Sequence, residues 1–152
     1  MIDITIRNVT KKDLPLIVEL IAPFVDQFAI NEQGRQCFSS EGIEGILQRE
    51  GIQYFVAEIQ GQFTGVIAYT KPYHLVNFFV AEKYQNKGIG RRLWNFIEDI
   101  AIQDNITEFT VNASCNAKSL YEHLGFEQTE SVTERTGLRF IPMKKIYNVS
   151  NN

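Results

Sequence analysis

Between Val80 and Leu93 the chain reads Ala81-Glu82-Lys83-Tyr84-Gln85-Asn86-Lys87-Gly88-Ile89-Gly90-Arg91-Arg92. An apolar run, Leu75 to Val80, leads into this stretch and a helical pattern leads out of it. A strand that turns through glycines into a helix makes an anion site. The first N–H groups of the helix lack partners, its dipole is positive there, and glycine lets a phosphate approach the backbone. Lys87, Arg91 and Arg92 add cationic charge at a helix start, where basic residues oppose the dipole unless an anion is bound. Two familiar phosphate turns are excluded. A P-loop needs GxxxxGK[ST], but no glycine stands five residues before Gly88 and no Lys-Ser/Thr pair follows it. A dinucleotide fingerprint needs GxGxxG, but Leu93 holds the third glycine position, and Glu108 stands at the start of its strand instead of the ribose-facing end.

A second block, Asn112-Ala113-Ser114-Cys115-Asn116-Ala117-Lys118-Ser119-Leu120-Tyr121-Glu122-His123-Leu124-Gly125-Phe126, joins a strand to a short helix. Asn116 suits the helix N-cap, and Gly125 suits the left-handed stop that folds Phe126 back onto the helix. On this helix His123 faces away from Tyr121 by helical spacing and takes no role.

Gln85-x-x-Gly88-x-Gly90 after an extended strand, followed by the Asn-Ala pair and the Tyr-x-x-x-Gly-Phe helix end, resembles the two motifs of the GNAT superfamily of acyl-CoA-dependent N-acetyltransferases. The likeness covers roughly Gln53 to Met143. It implies acetyl-CoA as the acyl donor, with Gln85, Asn86, Lys87, Gly88, Ile89, Gly90 and Arg91 around the coenzyme A pyrophosphate, mostly through backbone. It also implies that the strand before the turn splays from its neighbour. Main-chain groups of Phe78 and Val80 then hold the pantetheine arm, and a free N–H near Val80 faces the attacked carbonyl oxygen. Asn116, and more weakly Asn112, are implied to touch the pantetheine, and Tyr121 to serve the departing sulfur.

Acetyl transfer to an amine sets its own demands. An alkylamine with a pKa near 10.4 is almost wholly protonated at neutral pH, so freeing the nucleophile costs roughly 4 to 5 kcal/mol. His74, six residues before Val80 and near the place of a catalytic glutamate in some superfamily members, is the candidate base, with water as the alternative. A phenol is a weaker acid than a thiol, so Tyr121 is expected to donate a hydrogen bond to developing sulfur charge rather than complete a proton transfer.

The supporting elements follow from periodicity. Met1 to Arg7 alternates as a strand and lacks the profile of a signal peptide. A helix begins at Asp13 with Leu14, Ile17, Val18 and Ile21 on one face, and another runs from Glu41 to Glu50, capped by Ser39 or Ser40. Pro23 to Phe38 has no period and reads as a substrate loop or irregular helix. Tyr54 to Ile59 and Phe63 to Thr70 form a hairpin, and Leu75 to Val80 reads as a strand buried on both faces. A helix from Gly88 to Asp104 buries Ile89, Leu93, Phe96, Ile97 and Ile100. The strand Ile106 to Val111, the helix Asn116 to Leu124 and the strands Phe126 to Thr133 and Leu138 to Ile146 complete the order. The expected fold is mixed α+β, a central mixed, largely antiparallel sheet of six to seven strands flanked by about four helices.

Length and charge bound the rest. With 152 residues and 44% hydrophobic composition the chain suits one domain, residues 1–147, ending in a polar frayed tail, residues 148–152. A net charge of -3 gives no support for nucleic acid or an anionic membrane as partner. Cys37 and Cys115 form no CxxC or Cys/His cluster, so no metal is expected and the cytoplasm fits. Seven acids against two arginines between residues 13 and 50 suggest an acidic acceptor wall, hence a small cationic amine as the second substrate. A peptide or protein amine is the alternative, and a noncatalytic acyl-CoA sensor is a third reading. Exposed edge strands leave a route to a homodimer.

Overall fold

The computed structural model describes residues 3–148. The expected first two strand residues, and all of the polar tail except Asn148, lie outside the described residues. Eight strands form one sheet in the order β1-β2-β3-β4-β5-β8-β6, with β7 also on β8. They are β1 (Ile4–Asn8), β2 (Gln53–Ile59), β3 (Gln62–Thr70), β4 (His74–Val80), β5 (Glu108–Ala113), β6 (Glu127–Gln128), β7 (Thr133–Arg135) and β8 (Leu138–Ile146). Five α-helices accompany them: α1 (Leu14–Ile21), α2 (Glu32–Gln36), α3 (Ser40–Leu47), α4 (Ile89–Gln103) and α5 (Lys118–His123). Among the described residues only β4 and β5 pair in parallel, as their separation by the crossover helix α4 requires.

The sheet carries a core on each face. Leu93, Trp94 and Ile97 of α4 pack with Phe109, Phe126 and Met143 on one side, and Ile17, Ile21, Ile43 and Ile46 cover Val56, Val66 and Phe79 on the other. Trp94, which the α4 periodicity left out, is 1% exposed between Phe109 and Phe126 at centroid distances of 5.1 and 5.4 Å. Phe96, expected inside, is 37% exposed and rests edge-on against Phe55. A helix stripe broad enough to cover twisted strands takes in position 94, while 96 falls at its margin.

Three expectations change. The helix expected to reach Glu50 ends at Leu47, and Ser39 is its cap, accepting a hydrogen bond from the Gly42 N–H. The strand expected over Phe126 to Thr133 is broken into β6 and β7. Pro142 on β8 has no N–H to donate, so Thr129 pairs with it from one side only, and residues 130–132 bulge out before Thr133 meets Phe140. β4 is not buried on both faces: Leu75, Asn77 and Phe79 are buried, whereas His74, Val76, Phe78 and Val80 are half-exposed. One face of its apolar run, with Leu75 and Phe79, joins the cores, and the other, with Phe78 and Val80, lines a cavity.

The aperiodic segment is ordered as a 3-10 helix, Ala22–Gln27, followed by α2. It is stapled to the β7-β8 hairpin. Ile30 donates to the Gly137 carbonyl, Arg139 donates to the Phe28 carbonyl, and Ala29 bridges Leu138. Gly34 sits so close to Gly137 that a Cβ on it would meet the Gly137 oxygen at 1.9 Å. The resulting strap crosses from the N-terminal helices to the far half of the sheet.

Candidate active site: two cavities meeting at a split in the sheet

β4 and β5 pair only at His74 with Thr110 and Leu75 with Val111, then part. On the β3 side, Val76 has no partner: Leu75 pairs with Tyr69 and Asn77 with Ala68, so a bulge falls between them. Beyond the bulge, Ala81 donates to the Thr64 carbonyl. Alternation along an antiparallel ladder then turns the main-chain groups of Asn77 and Phe79 toward β3 and those of Phe78 and Val80 toward the split. The Val80 carbonyl accepts from the Gln85 side-chain amide at 3.0 Å, which ties off the following turn.

In that turn Asn86 (φ 62) and Gly88 (φ 83) are both left-handed. Asparagine tolerates this conformation, and glycine adopts it freely. Gly88 is the N-cap of α4, and the first bond closing onto it comes from the Arg92 N–H. Among the described residues the N–H groups of residues 86–91 have no backbone partner, and a Cβ on Gly88 would meet nothing within 4 Å. These donors form a concave, open cradle of the kind a diphosphate fits. The cleft beside it has a volume of about 460 Å³.

The predicted residues distribute as follows. Phe78, Val80, Gln85, Asn86, Gly88, Ile89, Gly90, Arg91, Asn116 and Tyr121 all line this first cleft, and Lys87 lies exposed on the turn outside the lining. Asn116 does not cap α5. It lies within a 3-10 turn, Cys115–Ala117, whose N-cap is Ser114, because the chain tightens before the α-helix begins. His123, assigned no role, lies at the cleft rim with its Nδ1 2.7 Å from the Ser119 carbonyl oxygen.

Asn112 and His74 belong to a second cavity of about 490 Å³ on the other side of the split. Phe28, Phe78, Phe79 and Tyr121 line both cavities, so the two spaces meet there. Tyr121 is 6% exposed, with its ring edge-on to Phe78 at 6.3 Å and to Phe126 at 5.5 Å. Its carbonyl accepts from the Phe126 N–H past the left-handed Gly125, so the expected fold-back of the helix end is what fixes the ring. Burial pushes the phenol above its ordinary pKa. The His74 Nδ1 is 2.7 Å from the Thr110 hydroxyl oxygen. Burial, and then the charge of Arg49, lower the imidazole pKa, so the ring is neutral at pH 7.

The acidic wall expected from the N-terminal charge does not form. Asp13 is buried against Arg7 and the Thr10 N–H, Glu32 pairs with Arg35, and among the described residues no carboxylate lines either cavity. Residues to which the sequence gave no role at the site line the second cavity instead, among them Cys37, Arg49, Asn77, Arg135, Thr136 and Leu138. The Asn77 amide donates to the Tyr54 hydroxyl, a buried pair that no sequence spacing signals. Among the described residues no helix is long and apolar enough to cross a membrane.

A family model described as an acetyltransferase (GNAT) domain matches residues 26–147. The chain is similar to the crystal structure of a GCN5-related N-acetyltransferase from Rhodopseudomonas palustris, at 18% identity and TM-score 0.79 over 97% of this chain and 98% of that one. It is also similar to the PaiA N-acetyltransferase from Thermoplasma acidophilum in complex with coenzyme A, at 20% identity, TM-score 0.73 and coverage of 95% and 99%. A third similar structure is the ribosomal-protein-S18-alanine N-acetyltransferase from Escherichia coli, at 21% identity, TM-score 0.72 and coverage of 99% and 98%.

Proposed function

The chain belongs to the GNAT family of acetyl-CoA-dependent N-acetyltransferases, and from that premise we propose that it acetylates the amine of a small molecule held in the second cavity. The observation that carries the reading is the junction. A cradle of unpartnered amides opens one cavity, a second cavity approaches from the opposite side, and Phe78 and Tyr121 stand where they meet. Two substrates brought to one point react as if in a single molecule, which removes much of the entropic barrier.

In this reading the N–H groups of residues 86–91 and the Arg91 guanidinium bind the diphosphate. The main-chain groups of Phe78 and Val80 that face the split take the pantetheine arm in strand-like pairing. Val80 lines only the first cleft, while Phe78 lines both. The N–H that meets the developing charge on the carbonyl oxygen is therefore that of Phe78, two residues earlier than the sequence resemblance implies. Tyr121 donates a hydrogen bond to the sulfur. Its raised pKa makes full proton transfer from the phenol more uphill than in water and supports the donor role.

His74 is in the right protonation state to accept a proton, but it lies four residues before Phe78, about 13 Å along an extended strand. A base must reach its proton directly or through water, so His74 acts through a water relay across the second cavity. The strap that runs from Ala22 to α2 and onto the β7-β8 hairpin favours a small acceptor over an extended peptide, since it crosses the space an open groove would need.

Incubating the protein with acetyl-CoA and a panel of small amines and peptides, with thiol release and product mass as readouts, tests the proposal. Release above the hydrolysis rate with small amines supports it. Coenzyme binding without transfer to any acceptor refutes it in favour of a sensor, and transfer confined to peptides refutes the small acceptor.

A further inference from the structure

Among the described residues four line both cavities, Phe28, Phe78, Phe79 and Tyr121, and all four are aromatic. They form two pairs. Phe78 packs with the core beneath α4, where the Tyr121 ring meets it edge-on at 6.3 Å. Phe79, the next residue of β4, belongs to the core on the opposite face of the sheet, where the Phe28 ring meets it edge-on at 6.1 Å. The meeting point of the cavities is thus bounded by one ring pair from each face. The second pair is firmly backed. Phe79 is 9% exposed and stacks on Phe24 at 5.6 Å, while the Phe38 ring stands 5.6 Å from Phe28 and 6.4 Å from Phe79. The Phe28 backbone is anchored as well, its N–H donating to the Val25 carbonyl and its carbonyl accepting from the Arg139 N–H at 2.7 Å. Its neighbours therefore hold the half-buried Phe28 ring at the junction.

We propose that Phe28 sets the length of the acyl group the enzyme transfers, as the wall that the alkyl end of the thioester meets. The inference rests on the acetyltransferase reading, in which Tyr121 faces the sulfur and the Phe78 N–H faces the carbonyl oxygen. A thioester carbon is trigonal. With sulfur and oxygen both on the Phe78–Tyr121 side, its third substituent, the alkyl chain, points toward Phe28 and Phe79. A methyl fits against the rings, whereas further methylenes must displace rings that Phe24 and Phe38 already back, and close-packed apolar groups resist such overpacking. Phe79 is part of the core, so Phe28, the half-buried member of the pair, is the residue whose size selects.

The test measures kcat/KM for acetyl-, butyryl- and hexanoyl-CoA with the best acceptor from the amine panel, in the parent, Phe28→Ala, Phe28→Leu and Phe38→Ala, alongside calorimetric Kd values for coenzyme A. The parent should prefer acetyl-CoA to butyryl-CoA by about a hundredfold, because each methylene forced into a filled apolar site costs about tenfold or more. Phe28→Ala, and to a smaller degree Phe28→Leu, should narrow that preference, to about tenfold or less in the Ala variant, with little change in the affinity for coenzyme A. Phe38→Ala, which removes a ring from the second cavity alone, should keep the parent's preference. The ratio between donors is the decisive readout, since a mere loss of packing slows all three donors alike. Where Phe28→Ala fails to fold, Phe28→Leu carries the test. Equal use of acetyl- and butyryl-CoA by the parent, a preference that survives the Phe28 variants, or one relaxed as much by Phe38→Ala overturns the proposal and leaves the acetyltransferase reading standing. Coenzyme A binding without transfer from any donor removes that reading, and the proposal with it.

Discussion

Replacing Gly88 separates the backbone role of the turn from its electrostatic one. The residue is left-handed at φ 83, exposed, and has no atom within 4 Å of an added Cβ. A side chain there meets no steric conflict within the protein, and the backbone penalty for a residue with a Cβ is about 1 to 2 kcal/mol, less for Asn or Asp. Gly88→Asn and Gly88→Asp are nearly equal in size and differ by one charge. As N-cap of α4, either carboxylate or amide can accept from the first helical N–H groups, so the two variants should melt within a few degrees of each other. Their coenzyme affinities should not match. One charge about 5 Å from each of two phosphate charges, in an exposed setting of effective dielectric about 40, gives roughly 3 kcal/mol of repulsion before screening. Allowing for salt, about 2 kcal/mol remains, or roughly thirtyfold in Kd. Titration calorimetry of coenzyme A into both variants reads this difference, and it should grow as salt is lowered. An Asp variant that binds within threefold of the Asn variant would falsify the placement of the diphosphate at this turn.

Three further outcomes follow from the same geometry. Tyr121→Phe should lower kcat by about ten- to hundredfold with little change in coenzyme Kd, because the lost bond forms only as the sulfur gains charge; unchanged single-turnover rates would remove the phenol from the chemistry. Gly34→Ala forces a methyl against the Gly137 carbonyl, whose oxygen would stand 1.9 Å away, and should cost about 1 to 3 kcal/mol while raising KM for the acceptor more than for acetyl-CoA. Equal effects on both KM values would mean that the strap does not shape the second cavity. Arg7→Met removes the partner that holds the Asp13 carboxyl below its ordinary pKa, so it should lower stability at pH 7 by about 1 kcal/mol. The folded-state pKa of Asp13 lies below its unfolded value. The stabilisation is therefore present at neutral pH and is lost as pH falls through the folded pKa, and wild type and variant should converge in denaturant melts once the pH is below the ordinary carboxylate range.

Much of the architecture was legible because it is local. Gly88 and Gly125 are left-handed, and the short turn through Gln60 and Gly61, both also left-handed, sets the antiparallel pairing of β2 with β3. The Gln85-to-Arg91 turn and the Tyr121-to-Phe126 helix end depend on neighbours a few residues apart, so residue type and spacing sufficed to place them. Errors arose where distant segments decide. Pro142 of β8 broke the strand expected to reach Thr133, and the twist of the sheet chose Trp94 over Phe96.

The amino-acid sequence by itself determined that a left-handed glycine turn opening a helix and a tyrosine on a short helix lie one helix and one strand apart, since backbone conformation and helical period are properties of short segments. Only the tertiary structure decided what faces them. Counting charges along residues 13–50 gave an acidic wall, but a charge acts where its side chain ends. Folding spends Asp13 on Arg7 and Glu32 on Arg35, and it brings Arg49 and Arg135, 86 positions apart in the chain, to the lining of one cavity. The sign of the field in the second cavity is thus set by long-range packing, through the strap and the β7-β8 hairpin, which no local pattern in the chain encodes.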